Sequence, residues 1–98
     1  MYGTVARYRI KPGMKDRLLA LEAEFREAKV PGLVAEFIYS MDEDPLVCYE
    51  AVVFESKEAY RALADSPEQD VRYRKLLECL DGPPEWHDGE VINSTFGK

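Results

Sequence analysis

Leu33-Val34-Ala35-Glu36-Phe37-Ile38-Tyr39-Ser40, a polar break at Met41-Asp42-Glu43-Asp44-Pro45, and Leu46-Val47-Cys48-Tyr49-Glu50-Ala51-Val52-Val53-Phe54 form the stretch that decides the fold. Side chains of a strand alternate between its two faces. In the first run Leu33, Ala35, Phe37 and Tyr39 share one face, and Val34, Glu36 and Ile38 the other. In the second, Leu46, Cys48, Glu50, Val52 and Phe54 oppose Val47, Tyr49, Ala51 and Val53. Neither face of either strand is built for water, so a sheet made from them needs cover on both sides. The short polar break makes the two runs an antiparallel hairpin.

Working outward, Tyr2 to Ile10 reads as a milder strand, with Tyr2, Thr4, Ala6, Tyr8 and Ile10 opposed by Gly3, Val5, Arg7 and Arg9. Lys11-Pro12-Gly13 turns the chain. Met14, Leu18, Leu21, Phe25 and Ala28 then recur at steps of four and three, one stripe of a helix. Val30-Pro31-Gly32 stops that helix, because proline disfavours helix in the residue before it. Beyond the hairpin, Ser56 caps a short helix carrying Ala59, Tyr60, Ala62 and Leu63. Ser66-Pro67-Glu68-Gln69 starts another, with serine at the N-cap, proline in the first turn and glutamine placed to close a capping box. Tyr73, Leu76, Leu77 and Leu80 form its stripe, Asp81-Gly82-Pro83-Pro84 ends it, and Trp86 to Asn93 is the last strand. The order β-α-β-β-α-β, with the second helical unit split, predicts a ferredoxin-like α+β antiparallel sheet with helices on one face. The other face calls for a second subunit, hence a homodimer.

The 98 residues make one domain, 1–98, with neither linker nor repeat, and 46% hydrophobic and 33% charged residues fit an ordered globular chain. A net charge of −6 argues against a nucleic-acid partner, since phosphate binding draws on clustered Lys and Arg. Arg72, Arg74 and Lys75 do cluster, but Glu68, Asp70, Glu78 and Asp81 surround them. No apolar run approaches the roughly 20 residues that span a bilayer, so no membrane partner is expected and a cytoplasmic location is. Cys48 and Cys79 lack zinc or redox spacing and read as reduced structural thiols.

Tyr49-Glu50-Ala51-Val52-Val53-Phe54-Glu55-Ser56-Lys57-Glu58-Ala59-Tyr60, continued by Ser66-Pro67-Glu68-Gln69 and preceded by Lys11-Pro12-Gly13, resembles the antibiotic-biosynthesis and quinol monooxygenases, a family of dimeric α+β barrels. The resemblance covers nearly the whole chain in element order. It implies a barrel of two sheets, a pocket in each subunit between sheet and helices, and a cofactor-independent monooxygenase acting on a small aromatic, phenol or quinol. Haem-degrading members carry an asparagine, a tryptophan and a histidine at positions that align with Ala6, Leu63 and Tyr73, so histidine-ligated haem is not implied. Quinol-oxidising relatives often place a histidine where Leu63 stands, and the usual tryptophan at the end of the third strand is Phe54. The alternative is a non-catalytic dimeric barrel that binds or sequesters a small apolar ligand.

Chemistry of the first kind needs a dry aromatic pocket, a group that removes a phenolic proton, and donors for the anion that develops. Tyr73 heads the apolar stripe of its helix and is read either as the polar pocket group or as a core tyrosine with a satisfied hydroxyl. Tyr8, Tyr39, Phe54, Tyr60, Leu63 and Trp86 are the candidate lining. His87, the single histidine, is the other catalytic candidate, because histidine is the residue type suited to proton transfer near neutral pH. Alternation sets it opposite Trp86, Asp88 and Glu90, so a pocket that takes Trp86 sends His87 to the dimer interior or an edge, unless a bulge at Gly89 changes the parity. The same alternation leaves His87 without convergent ligands, and no metal site is expected. Arg7 and Arg9 share a face on which Glu36 or Glu50 is expected to pair with them.

Overall fold

The computed structural model describes residues 1–97. Its elements run β1 (Tyr2–Arg9), α1 (Lys15–Glu27), β2 (Leu33–Ser40), β3 (Val47–Phe54), α2 (Lys57–Ala64), α3 (Pro67–Cys79) and β4 (Glu85–Glu90). The four strands form one antiparallel sheet in the order β2-β3-β1-β4, the ferredoxin-like arrangement the element order predicts. The last strand stops at Glu90, short of Asn93. Lys98 lies outside the described residues.

Register fixes which side chains face the helices. Thr4, Ala6 and Tyr8 of β1 lie beside Val52, Glu50 and Cys48 of β3, and all six are buried. Glu36 and Ile38 of β2 continue those rows, as do Asp88 and Trp86 of β4. A bulge between Leu33 and Ala35 pairs Leu33 with Phe54 but Ala35 with Val53. Leu33 therefore leaves the face that simple alternation shares among Leu33, Ala35, Phe37 and Tyr39, since an extra residue shifts the parity before it.

One end of the inner face is closely packed. Ala6, Tyr8, Ile10, Leu18, Cys48, Cys79 and Leu80 form a single cluster, flanked by Met14, Leu21, Ile38, Leu46 and Leu76. Cys48 and Cys79 are buried free thiols within it. Ile10 extends β1 past Arg9 by bridging to Leu80, which ties the exit of α3 to the first strand.

Local chemistry sets the helix ends. Ser56 Oγ accepts from the Ala59 amide and Ser66 Oγ from the Gln69 amide, each satisfying a first-turn donor that the helix itself leaves free. The capping box is not closed, because Gln69 Oε1 accepts from Arg72 Nη1 at 2.9 Å instead. α1 ends at Glu27, and Lys29 takes the left-handed conformation, at φ 48°, before Pro31 is reached. Gly32, at φ 79°, would place a side chain 2.6 Å from Ala59 Cβ, so it serves both the turn into β2 and the approach of α2.

The expected pairing of Arg7 and Arg9 with Glu36 or Glu50 is corrected: the carboxylates face the helices and the arginines do not. Arg9 pairs with Asp44 in the hairpin loop, and Arg7 stays exposed. The outer face is open in the protomer, with Phe37 at 59% and Tyr39 at 58% exposure, beside exposed Val5 and Tyr49.

Candidate functional site

Where the cores of the strands pass under the gap between helices, packing gives way to a cavity of about 450 Å³, within the usual range for small-molecule sites. Its floor is the sheet, through Thr4, Glu36, Glu50, Val52, Phe54, Trp86 and Asp88. Its walls come from α1 (Leu21, Glu22, Phe25), α2 (Tyr60, Leu63, Ala64) and α3 (Gln69, Asp70, Arg72, Tyr73, Leu76). The aromatic lining is mutually braced. Tyr73 and Trp86 lie 6.2 Å apart between ring centroids, and Phe54 meets Tyr60 edge-on at 5.6 Å. The Arg72 guanidinium sits over the Phe25 ring at 5.6 Å.

Five of the eight residues singled out in the sequence meet at this cavity: Phe54, Tyr60, Leu63, Tyr73 and Trp86. Tyr8 is buried next to it rather than lining it, and its hydroxyl donates to Glu50 Oε1 at 2.9 Å. Tyr39 and His87 do not line the cavity, and the physical reason is strand parity, which for His87 follows the alternation that opposes it to Trp86. Tyr39 pairs with Tyr49 on the outer face. His87 pairs with Val5 and lines a shallow outer depression with Gly3, Ala51 and Val53, away from the cavity. The register of β4 runs without interruption from Glu85 to Glu90, so no bulge at Gly89 reverses that placement.

Sequence reasoning missed the acidic end of the cavity. Glu22 of α1, Glu36 of β2 and Glu50 of β3 bring carboxylate oxygens within 4.8 Å of one another. His87 stands on the opposite face of the sheet, whereas these three carboxyls share one end of the cavity. Each stands in an apolar stripe: Glu22 four residues after Leu18, Glu36 two before Ile38, Glu50 between Cys48 and Val52. A charged residue on a buried face is the informative signal, because charges are rarely withdrawn from water without a partner.

Crowding and burial change what these groups are at neutral pH. Burial, then the hydrogen bond and charge of Glu22, push the Glu36 carboxyl up to about 10, so Glu36 holds its proton toward its neighbours. Burial and the charge of Glu22 raise Glu50 to about 7, opposed by the hydrogen bonds it receives from Tyr8 and Glu36. The Tyr8 phenol is pushed well above the tyrosine range by burial and by Glu50, so it acts only as a donor. Of the three groups raised in this way, Glu50 comes nearest to physiological pH, the range that suits a proton acceptor.

At the other end of the cavity, the Tyr60 hydroxyl donates to Asp88 Oδ1 at 2.8 Å, and burial with that bond pushes Tyr60 up to about 12. Thr4 lies beside Tyr60, is 5% exposed, and its Oγ1 has no hydrogen-bond partner among the described residues. An orphaned hydroxyl in a buried site is costly unless something else completes it.

The fold and the cavity define a class of protein: a ferredoxin-like α+β domain with an aromatic, acid-ended pocket between its sheet and helices. Its structural neighbours are antibiotic biosynthesis monooxygenase-like proteins. SnoaB, a cofactor-independent oxygenase from Streptomyces nogalater, superposes with a TM-score of 0.81 at 14% identity, covering 95% of this chain and 94% of its own. A candidate antibiotic biosynthesis monooxygenase from Chloroflexus aurantiacus J-10-fl gives 0.78 at 21%, covering 97% and 96%. A conserved protein from Methanosarcina mazei Go1 gives 0.79 at 20%, covering 90% and 89%. No family model and no curated protein matches the sequence. No helix among the described residues is long and apolar enough to cross a membrane.

Proposed function

We propose that this protein is a cofactor-independent monooxygenase that oxidises a small phenol or quinol in the cavity between its sheet and helices. The observation that carries the reading is the cavity itself, about 450 Å³, lined by Phe25, Phe54, Tyr60, Tyr73 and Trp86 and ended by carboxyls. A phenol that ionises is itself a reductant of oxygen, so the protein has only to bind, orient and deprotonate it and keep bulk water away. For a simple phenol, one molecule and one dioxygen balance to one para-benzoquinone and one water, with the ring supplying all the electrons that oxygen takes up. Tyr73, which lines this space beside Trp86, is the residue we assign as hydrogen-bond donor to substrate oxygen. SnoaB, whose fold this chain shares, is described as a cofactor-independent oxygenase, which supports the same reading.

The working form is a homodimer in the cytoplasm. Exposed Phe37, Tyr39, Tyr49 and Val5 share the outer face of the sheet, and a monomer rarely leaves such a patch to water. Two buried free thiols suit a reducing compartment.

The test is oxygen uptake on a panel of phenols and hydroquinones, with Tyr73→Phe and His87→Ala beside the wild type and folding checked for each. Saturable uptake above the uncatalysed rate, weakened in Tyr73→Phe and kept in His87→Ala, is expected. Tight binding of the same aromatics with no uptake would instead favour a barrel that sequesters its ligand.

A further inference from the structure

The inner face carries one row that crosses the whole sheet: Glu36 on β2, Val52 on β3, Thr4 on β1 and Asp88 on β4. Neighbouring strands are about 4.8 Å apart, so Glu36 and Thr4 stand roughly 10 Å from each other, with only Val52 between them. Glu50 lies one row along, on the Glu36 side, within reach of Glu36 and Glu22. The cavity therefore has two polar poles separated by an apolar floor under aromatic walls. One pole is a carboxyl cluster that accepts a hydrogen bond from the Tyr8 hydroxyl. The other holds a hydroxyl, that of Thr4, which is nine-tenths buried and has no partner among the described residues.

We infer that the Glu22–Glu36–Glu50 cluster, acting through Glu50, accepts the phenolic proton of the bound aromatic, while Thr4 holds an oxygen at the far end of the same molecule. This rests on the monooxygenase reading for its chemistry, though not for its geometry. Glu50 is the catalytic residue of the pair, since it touches the reacting hydroxyl; Thr4 is a positioning residue. The step is a proton transfer, ArOH + Glu50–COO⁻ → ArO⁻ + Glu50–COOH. The phenolate then gives two electrons to O2 as a ring C–O bond forms. Loss of the ring C–H proton to the peroxide breaks the O–O bond, leaving a carbonyl and hydroxide, and hydroxide takes the proton back from Glu50 as water. Glu36, kept protonated, donates toward Glu50 and spares it a second full negative charge.

The charged and titratable groups around Glu50 come from every wall. They are Glu22 on α1, Glu36 on β2, Tyr8 on β1, and Asp70, Arg72 and Tyr73 on α3, with Tyr60 and Asp88 at the far pole. Glu50 is held near 7, so binding of a phenol through its proton should strengthen as pH rises through about 7.

The experiment is anaerobic calorimetric titration of the full-length protein with 2,6-dihydroxynaphthalene and with its dimethyl ether, across pH 5.5 to 8.5. It is paired with steady-state kinetics on a substrate that supports oxygen uptake. The diol should bind at least about tenfold more tightly than the ether at pH 8, a difference of about 1.4 kcal/mol, and lose that advantage at low pH. Glu50→Gln should flatten the pH dependence and lower kcat by about 10²- to 10⁴-fold. Thr4→Val should raise KM and narrow the preference for diol over ether while keeping kcat. Equal binding of diol and ether by the wild type, or a Glu50→Gln enzyme with unchanged kcat, would overturn the inference even if oxygen uptake is observed. The expected binding pattern without uptake by the wild type would leave the two-pole site standing and remove the monooxygenase reading. Micromolar binding of Mg²⁺ or Mn²⁺ that is lost in Glu50→Gln would overturn the proton-accepting role. The pH series and the ether comparison need no variant, so a misfolded substitution does not decide the matter.

Discussion

On the inner face of the sheet, Thr4, Glu36 and Glu50 are buried or half-buried although all three are polar; on the outer face, Val5, Phe37 and Tyr39 meet water although all three are suited to a core. Both faces thus hold the residues that ordinary folding would send to the other side. The inversion on the inner face is confined to one end, since the opposite end is the dry cluster around Leu18, Cys48 and Cys79. The lesson is that the packed core and the cavity are divided along the strands. Tyr8 and Ile10 close the core, and the same strand, four residues before Tyr8, opens into the cavity at Thr4. On the outer face the exposed apolar side chains run across β2, β3 and β1 and stop at β4, whose outer residues are Glu85, His87 and Gly89; a patch of that kind suits another protein surface better than a small ligand.

Four changes break or sharpen that contrast, in order of effect. Leu18, 1% exposed, anchors the dry end, so Leu18→Ala should destabilise the fold by about 2–5 kcal/mol in chemical denaturation. An equal loss from a cavity-end change such as Leu63→Ala would deny the division along the strands. On the outer face, Phe37→Asp should leave the protomer folded, because the side chain is exposed there, yet weaken self-association by roughly 10- to 100-fold, about 1.4–2.8 kcal/mol, by burying an unpaired charge. Sedimentation equilibrium reads this directly, and a monomeric wild type would remove the reason for the apolar outer face.

At the acidic end the expected sign is a gain. The folded Glu36 carboxyl is raised to about 10 from an ordinary value near 4.5, so the native state binds the extra proton. Its contribution is fully present below about pH 4.5 and is lost as pH rises toward 10, because the unfolded chain gives up a proton that the buried carboxyl retains. Glu36→Gln keeps the shape without the charge and should therefore raise stability at pH 8 by on the order of 1 kcal/mol, or about 4–8 °C in Tm for a domain of this size. The same change at pH 4 should do much less. A Tm that falls at pH 8 would mean the carboxylate is paired rather than crowded. The smallest effect belongs to His87→Ala: stability of the protomer within about 0.5 kcal/mol and oxygen uptake within about twofold, because the side chain stands on the exposed outer face. A large loss of uptake would show that the outer face takes part in chemistry.

Periodicity and punctuation in the sequence determined the element order, the hairpin at Met41 to Pro45, the serine caps at Ser56 and Ser66, and the two-sided strands, because each depends on neighbours a few residues away. The same alternation already separated Trp86 and Asp88 from His87. It placed Glu36 with Ile38 and Glu50 with Val52 as well, but two carboxylates in separate strands become a site only when register sets them side by side and α1 lowers Glu22 onto them. Tertiary structure alone decided that. It also decided that Tyr8 serves Glu50 instead of lining the cavity, that Gln69 turns to Arg72 instead of closing its cap, and that Leu33 changes face at a bulge. In each case the deciding partner is distant in sequence or competes with a local one, and local pattern carries no measure of which hydrogen bond or which burial wins.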